Sequence, residues 1–156
     1  QKLAVQWAIR GGRRALFEAF GLGKTMQALE IVRLILKHKG GSGLIVCPLG
    51  IRHEFIRDAA KLGTSIMFAR RTEECAADGL WLTNYESIRE EKLNPAEFTV
   101  ISLDEAAILR GMGGTATFRK LMALYEGTST YRFVCTATPS PNEYLELASR
   151  RGNIRF

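Results

Sequence analysis

Two short runs in this 156-residue chain carry residue types that handle phosphate. The first is Gly21-Leu22-Gly23-Lys24-Thr25, set between a short apolar segment and a helix-like pattern. Glycines there let backbone N–H groups turn inward on phosphate oxygens. A lysine reaches the β- and γ-phosphates of a nucleoside triphosphate, and a threonine hydroxyl can ligate Mg2+. The second run is Asp104-Glu105, which closes the apolar stretch Val100–Leu103 about 80 residues further on. In nucleotide hydrolysis one such acid, here Asp104, holds Mg2+, and the other, here Glu105, orients and deprotonates the attacking water. Each run alone has an ordinary alternative: a glycine-rich strand-to-helix turn, or a solvated strand end. The strict phosphate-loop spacing GxxxxGK(S/T) is not met, because Glu18 stands where the first glycine would be. Together the two runs point to a nucleotide site.

Such residues need a scaffold that brings them to one edge, and the patterning supplies it. Residues 2–12 read as a helix stopped by Gly11-Gly12, and residues 14–20 as a short apolar strand. A long helix follows over 25–38, apolar around most of its surface. Lys37, His38 and Lys39 fill its last turn, and Gly40-Gly41 end it. Residues 43–48 lack polar alternation and predict a strand buried on both faces. Beyond them the pattern predicts an amphipathic helix over 51–63, a strand over 65–70 and a loop or helical turn over 71–79. A strand running into a short helix covers 80–91, and a strand ending in the two acids covers 97–106. The remaining segments are a helix over 116–126, a strand over 131–139 and a helix over 142–150. Strands separated by helices require crossover connections, so the fold class is α/β, a mostly parallel sheet with helices on both faces. Ligands of such sheets bind beyond the carboxyl ends of the strands, where both runs fall.

Composition narrows the rest. An apolar fraction of 46% and a charged fraction of 24% are those of one ordinary globular domain. No stretch is long and apolar enough to span a membrane, and no signal-peptide pattern opens the chain. The net charge of +6 permits an anionic partner such as nucleic acid. Cys47, Cys75 and Cys135 are scattered and read as reduced thiols of a cytoplasmic protein. With His38 and His53 the only histidines, no zinc site is expected. Trp7 and Trp81 sit in apolar runs and read as core. Tyr85 reads equally as core or as a base-stacking ring, and the pairs Arg70-Arg71 and Arg150-Arg151 as solvated surface.

The segments "GLGKT", "LIVCPLG", "LTNYESI", "LDEAAILRG" and "CTATPSPNEYLELAS" occur in that order and cover nearly the whole chain. They resemble the first-lobe motifs of superfamily 2 helicases and translocases, in particular the Swi/Snf-like group, and within it the DEAD-like helicases of phages and prophages. In that group an acidic residue before "GLGKT" is usual, which accounts for Glu18. The resemblance implies a three-layer RecA-like fold in which the strand near 132–136 lies between those at 14–18 and 99–103. It implies that Gly21, Leu22, Gly23, Lys24 and Thr25 cradle ATP, with Gln1 reading adenine. Asp104 and Glu105 become the Mg2+-holding and water-activating pair. Thr136, Ala137 and Thr138 match the motif that couples hydrolysis to movement. Cys47, Pro48 and Leu49 match one loop that meets the nucleic-acid backbone, and Thr83, Asn84, Tyr85 and Glu86 match another.

Residues 110–115 follow the acidic box as a glycine-rich loop. It either meets a phosphate through Arg110, backbone N–H groups and Thr115, or serves as a connector. One departure stands out: the box reads Asp-Glu-Ala-Ala, so Ala107 brings no hydrogen-bonding side chain toward residues 136–138. The resemblance thus implies that residues 1–156 form the N-terminal RecA-like lobe of an ATP-dependent motor acting on double-stranded DNA in a bacterial or phage-infected cytoplasm. The second RecA-like lobe is expected on a longer parent chain. An RNA helicase lobe, a nucleic-acid scaffold without ATPase activity, and a metabolite kinase are the alternatives. The intact acid pair disfavours the scaffold, and the lack of an acceptor site disfavours the kinase.

Overall fold

A computed structural model of the chain describes residues 2–17, 23–105 and 131–136, and the side chains of all of these but Phe17 and Thr136. Helix α1 spans Lys2–Gly11 and leads through Gly12, at φ 68°, into strand β1, Arg13–Phe17. Helix α2 spans Lys24–Lys39, β2 Ser42–Cys47, α3 Arg52–Lys61 and β3 Met67–Phe68. Strand β4 covers Gly79–Asn84, α4 Tyr85–Arg89, β5 Val100–Asp104 and β6 Tyr131–Thr136. The predicted helices at 116–126 and 142–150 lie outside the described residues.

The strands form one six-stranded sheet in the order β1-β6-β5-β2-β4-β3, every pairing parallel. β6 lies between β1 and β5 as expected: Leu16 pairs with Cys135, and Asp104 pairs with Cys135 from the other side. This is the α/β arrangement that the alternation of elements predicted.

Side-chain alternation along the strands divides the core in two. One face of the sheet carries Leu16, Ile45, Cys47, Leu80, Leu82, Val100, Phe133 and Cys135 and is covered by α1, α2 and α3. The other carries Leu44, Val46, Trp81, Ile101 and Leu103 and is covered by Tyr85 and Ile88 of α4 and by Leu93 and Phe98. Helix α2 fits closely because of Gly43: a Cβ there would stand 2.6 Å from Val32 Cγ1. Its Leu29, Ile31 and Val32 are fully buried, each contributing about 2 kcal/mol. Gly40 ends the helix in left-handed backbone, its N–H donating to the Leu36 carbonyl at 2.8 Å.

Two expectations need correction. The strand predicted over 65–70 shrinks to Met67–Phe68, because it pairs on one side only, at the edge of the sheet. Trp81 is core, but Trp7 is 50% exposed, with the Arg14 guanidinium 4.9 Å from its ring centroid. Trp7 lies on the solvent side of α1, opposite the inward-facing Val5 and Ala8.

Candidate nucleotide site and nucleic-acid face

The amino end of α2 falls on the Gly23-Lys24-Thr25 run. Its cap is Gly23 at φ 80° and ψ 33°, a conformation that favours glycine, and no side chain caps the helix. No acidic residue stands in the first turn either. The first helical bond runs from the Gln27 N–H to the Gly23 carbonyl at 3.1 Å. The amino end of α2 thus presents the positive end of the helix dipole, where an anion is stabilised. Lys24 and Thr25 occupy this turn, both partly exposed. Gly21, Leu22 and Gln1 lie outside the described residues.

Asp104 ends β5 at the same edge. It is only 4% exposed, and its Oδ1 is buried without a hydrogen-bond partner. Burial, and after it the charge of Glu105, pushes its carboxyl up to about 6, against the downward pull of Lys24 and the Glu105 backbone N–H. Lys24 is thus close enough to act on Asp104. On the adjoining strand the Cys47 thiol is buried and pushed up to about 12, by burial and then by Asp104, so it stays protonated.

Glu105 follows with left-handed backbone at φ 54°. Its N–H donates to the Cys135 carbonyl at 2.9 Å, and the carbonyl of Asp104 accepts the Tyr85 hydroxyl at 2.6 Å.

A desolvated, unpartnered carboxylate oxygen beside a lysine and a helix amino end fits a hard divalent cation carried in with phosphates. Such ions are commonly held by one or two carboxylates and the substrate's own oxygens. Among the described residues no group of three His, Cys, Asp or Glu side chains forms a self-sufficient metal cage.

The expected nucleic-acid loops fare differently. Pro48 is partly exposed and Leu49 is 44% exposed, just past the end of β2. Thr83, Asn84 and Tyr85 are 0%, 7% and 4% exposed, so their side chains are packed inside the protein. Asn84 Oδ1 caps α4 by accepting from the Ser87 N–H at 3.0 Å and the Ser87 hydroxyl at 2.7 Å. The Tyr85 ring packs in the second core cluster, which leaves no face for a base. Thr136 is described only in its backbone, and Ala137, Thr138 and Arg110 lie outside the described residues.

Two features escaped the sequence reading. Arg52, three residues past Leu49, and Arg70 both approach the Phe68 ring, at 5.6 and 6.0 Å from its centroid. The position of Arg52 directly after the loop was the available signal. Nothing in the sequence signalled the bond from Tyr85 to Asp104.

Comparison with known proteins agrees with this architecture. The SNF2-related domain matches residues 1–149. The Hef helicase domain of Pyrococcus furiosus superposes with a TM-score of 0.72 at 15% identity, over 95% of this chain and 35% of that one. The UvsW helicase from bacteriophage T4 gives 0.68 at 13% identity, over 90% of this chain and 54% of that one. A nuclease-deletion mutant of the Type ISP restriction-modification enzyme LlaGI, in complex with a DNA substrate mimic, gives 0.60 at 19% identity, over 87% and 17%. No curated protein matches. At these identities the likeness is one of fold, and this chain spans about half or less of each of those chains. The match over residues 1–149 shows that the chain belongs to the SNF2-related domain family, within the superfamily 2 helicases and translocases.

Proposed function

We propose that this chain is the ATP-binding first lobe of an ATP-dependent motor on double-stranded DNA, completed by a second RecA-like lobe. The observation that carries the reading is the buried, unpartnered Oδ1 of Asp104, set in the field of Lys24 at the amino end of α2. Lys24 and the first-turn N–H groups bind the phosphates of ATP, and Thr25 and Asp104 are the residues that hold Mg2+. When bound, Mg2+ neutralises charge on the phosphates. Glu105, partly exposed at the mouth of the site, orients the attacking water and takes its proton. Nucleic acid crosses the same sheet edge over Pro48 and Leu49. Arg52 and Arg70 offer guanidinium groups to its phosphates.

The test combines binding and turnover. Lys24→Ala should weaken ATP binding, whereas Glu105→Gln should retain binding and lose hydrolysis. Equal loss of binding in both variants would refute the role given to Glu105. The 156-residue chain itself should bind ATP weakly and hydrolyse it slowly, with little response to duplex or single-stranded DNA. An arginine supplied from outside a phosphoryl-transfer site is worth roughly 10³–10⁵ in rate, and the reading assigns that arginine to the second lobe. Fast, DNA-stimulated turnover by this chain alone would overturn the single-lobe reading.

A further inference from the structure

Glu105 stands in a backbone conformation that non-glycine residues rarely adopt, φ 54°, at the first position past β5. Such a conformation persists only where the surroundings over-determine it. Here the Asp104–Glu105 peptide is held at both ends. Its N–H donates to the Cys135 carbonyl of β6 at 2.9 Å, and its carbonyl accepts the Tyr85 hydroxyl at 2.6 Å. The first bond continues the β5–β6 ladder, which pairs Asp104 with Cys135. The second comes from across the sheet, from a side chain on the first residue of α4.

The hydroxyl's position is itself fixed. The Tyr85 ring is 4% exposed among Leu44, Val46, Ile88, Leu103 and their neighbours, and Asn84 caps the turn that carries it. With its ring locked and its one polar atom aimed at a main-chain carbonyl, Tyr85 acts on the orientation of a peptide plane. That plane decides where the Glu105 side chain starts.

We propose that Tyr85 is a positioning residue for Glu105. Its hydroxyl clamps the Asp104–Glu105 peptide so that Glu105 is presented at the site mouth, and it ties that presentation to the placement of the turn at 83–86. The proposal rests on the reading of Glu105 as the water-orienting acid. A shift of the turn displaces the hydroxyl, releases the peptide and lets Glu105 leave its left-handed backbone. The turn thereby gains control over hydrolysis without touching nucleotide.

The test is Tyr85→Phe in the 156-residue chain, which keeps the ring in the core and removes only the hydroxyl. Amide hydrogen exchange is followed residue by residue by NMR. The Glu105 amide should exchange about tenfold faster than in the unsubstituted chain, while the amides of Leu103 and Phe133 keep their rates. Single-turnover hydrolysis of ATP with Mg2+ should slow by about tenfold, with ATP affinity unchanged within about twofold. An unchanged Glu105 amide overturns the clamp. Acceleration shared by Leu103 and Phe133 reduces Tyr85 to a general support of the fold and overturns the positioning role. So does a loosened Glu105 amide with undiminished hydrolysis. Absence of ATP binding by the unsubstituted chain would refute the nucleotide-site reading instead, and the exchange rates still decide the clamp.

Discussion

Replacing Asp104 by Asn should stabilise the protein at neutral pH while disabling its site. The folded structure holds the Asp104 carboxyl at about 6 against an ordinary value of 3.8, chiefly because it is buried and secondly because Glu105 is charged beside it. A carboxyl whose folded pKa is raised keeps its proton where the unfolded chain has already lost it. Its contribution is therefore most favourable below about pH 4, declines as the pH rises, and is fully lost above about pH 6. At 1.36 kcal/mol per pH unit, the interval from 3.8 to about 6 corresponds to about 3 kcal/mol. Asparagine has nearly the same shape and no charge. The variant should match the wild type near pH 4 and exceed it by about 2–3 kcal/mol at pH 7.5.

Asp58 pulls the other way. Burial raises its carboxyl, but Lys61 at 2.7 Å and Arg57 outweigh that and leave it lowered, so its contribution is lost as the pH falls. Both proteins share Asp58, and it cancels in the difference between them. Urea unfolding from pH 4 to 8, without Mg2+ or nucleotide, measures that difference directly. A difference that does not grow with pH would show that the carboxylate is already compensated and would refute the reasoning. Adding Mg2+ and nucleotide should then stabilise the wild type more than the variant, since a ligand of the folded state adds its binding free energy.

Further outcomes follow from the same geometry. Thr83 is fully buried and its hydroxyl has no hydrogen-bond partner, so Thr83→Val should raise stability by about 1 kcal/mol in thermal unfolding; a lowered midpoint would mean that the hydroxyl is satisfied. Gly43→Ala drives a Cβ to 2.6 Å from Val32 Cγ1 and should cost about 1–3 kcal/mol in urea unfolding, and a neutral result would show that α2 can back away from the sheet. Arg52→Ala and Arg70→Ala should each weaken DNA binding by the parent protein and lower the slope of log affinity against log salt by about 1, and an unchanged slope would remove them from the nucleic-acid path.

The fold was legible because its signals are local and redundant. β2 announces itself by six buried positions without polar alternation, and α2 by an apolar surface closed with basic residues and glycine. The end of β5 is marked by the change from apolar to acidic residues, and that change put Asp104 at the correct edge. β3 was overdrawn because its length depends on a partner strand, and no residue within 65–70 reports that it lies on the sheet's rim. Trp7 was misplaced for a related reason. Leu3 and Trp7, four residues apart, share a helix face that is 80% and 50% exposed, and apolar letters alone do not say which face of α1 meets α2.

The site divides along a different line, the distance of each residue from a strand end. Pro48 and Leu49 lie beyond the last paired residue of β2, where the covering layers stop, and they reach solvent. Thr83 and Asn84 are still paired with Val46 and Cys47, inside a strand that has neighbours on both sides and packing on both faces. Residue type points the other way, since threonine, asparagine and tyrosine all have polar groups that suit a backbone contact. Position overrides it: alternation sends Thr83 into one layer and Asn84 into the other, and Tyr85 follows into the cluster around Trp81. Each polar atom then finds a different fate. The Asn84 amide becomes a helix cap, the Tyr85 hydroxyl reaches the Asp104 carbonyl, and the Thr83 hydroxyl is left without a partner. Any displacement of this turn is therefore carried inward by the side chains that it buries.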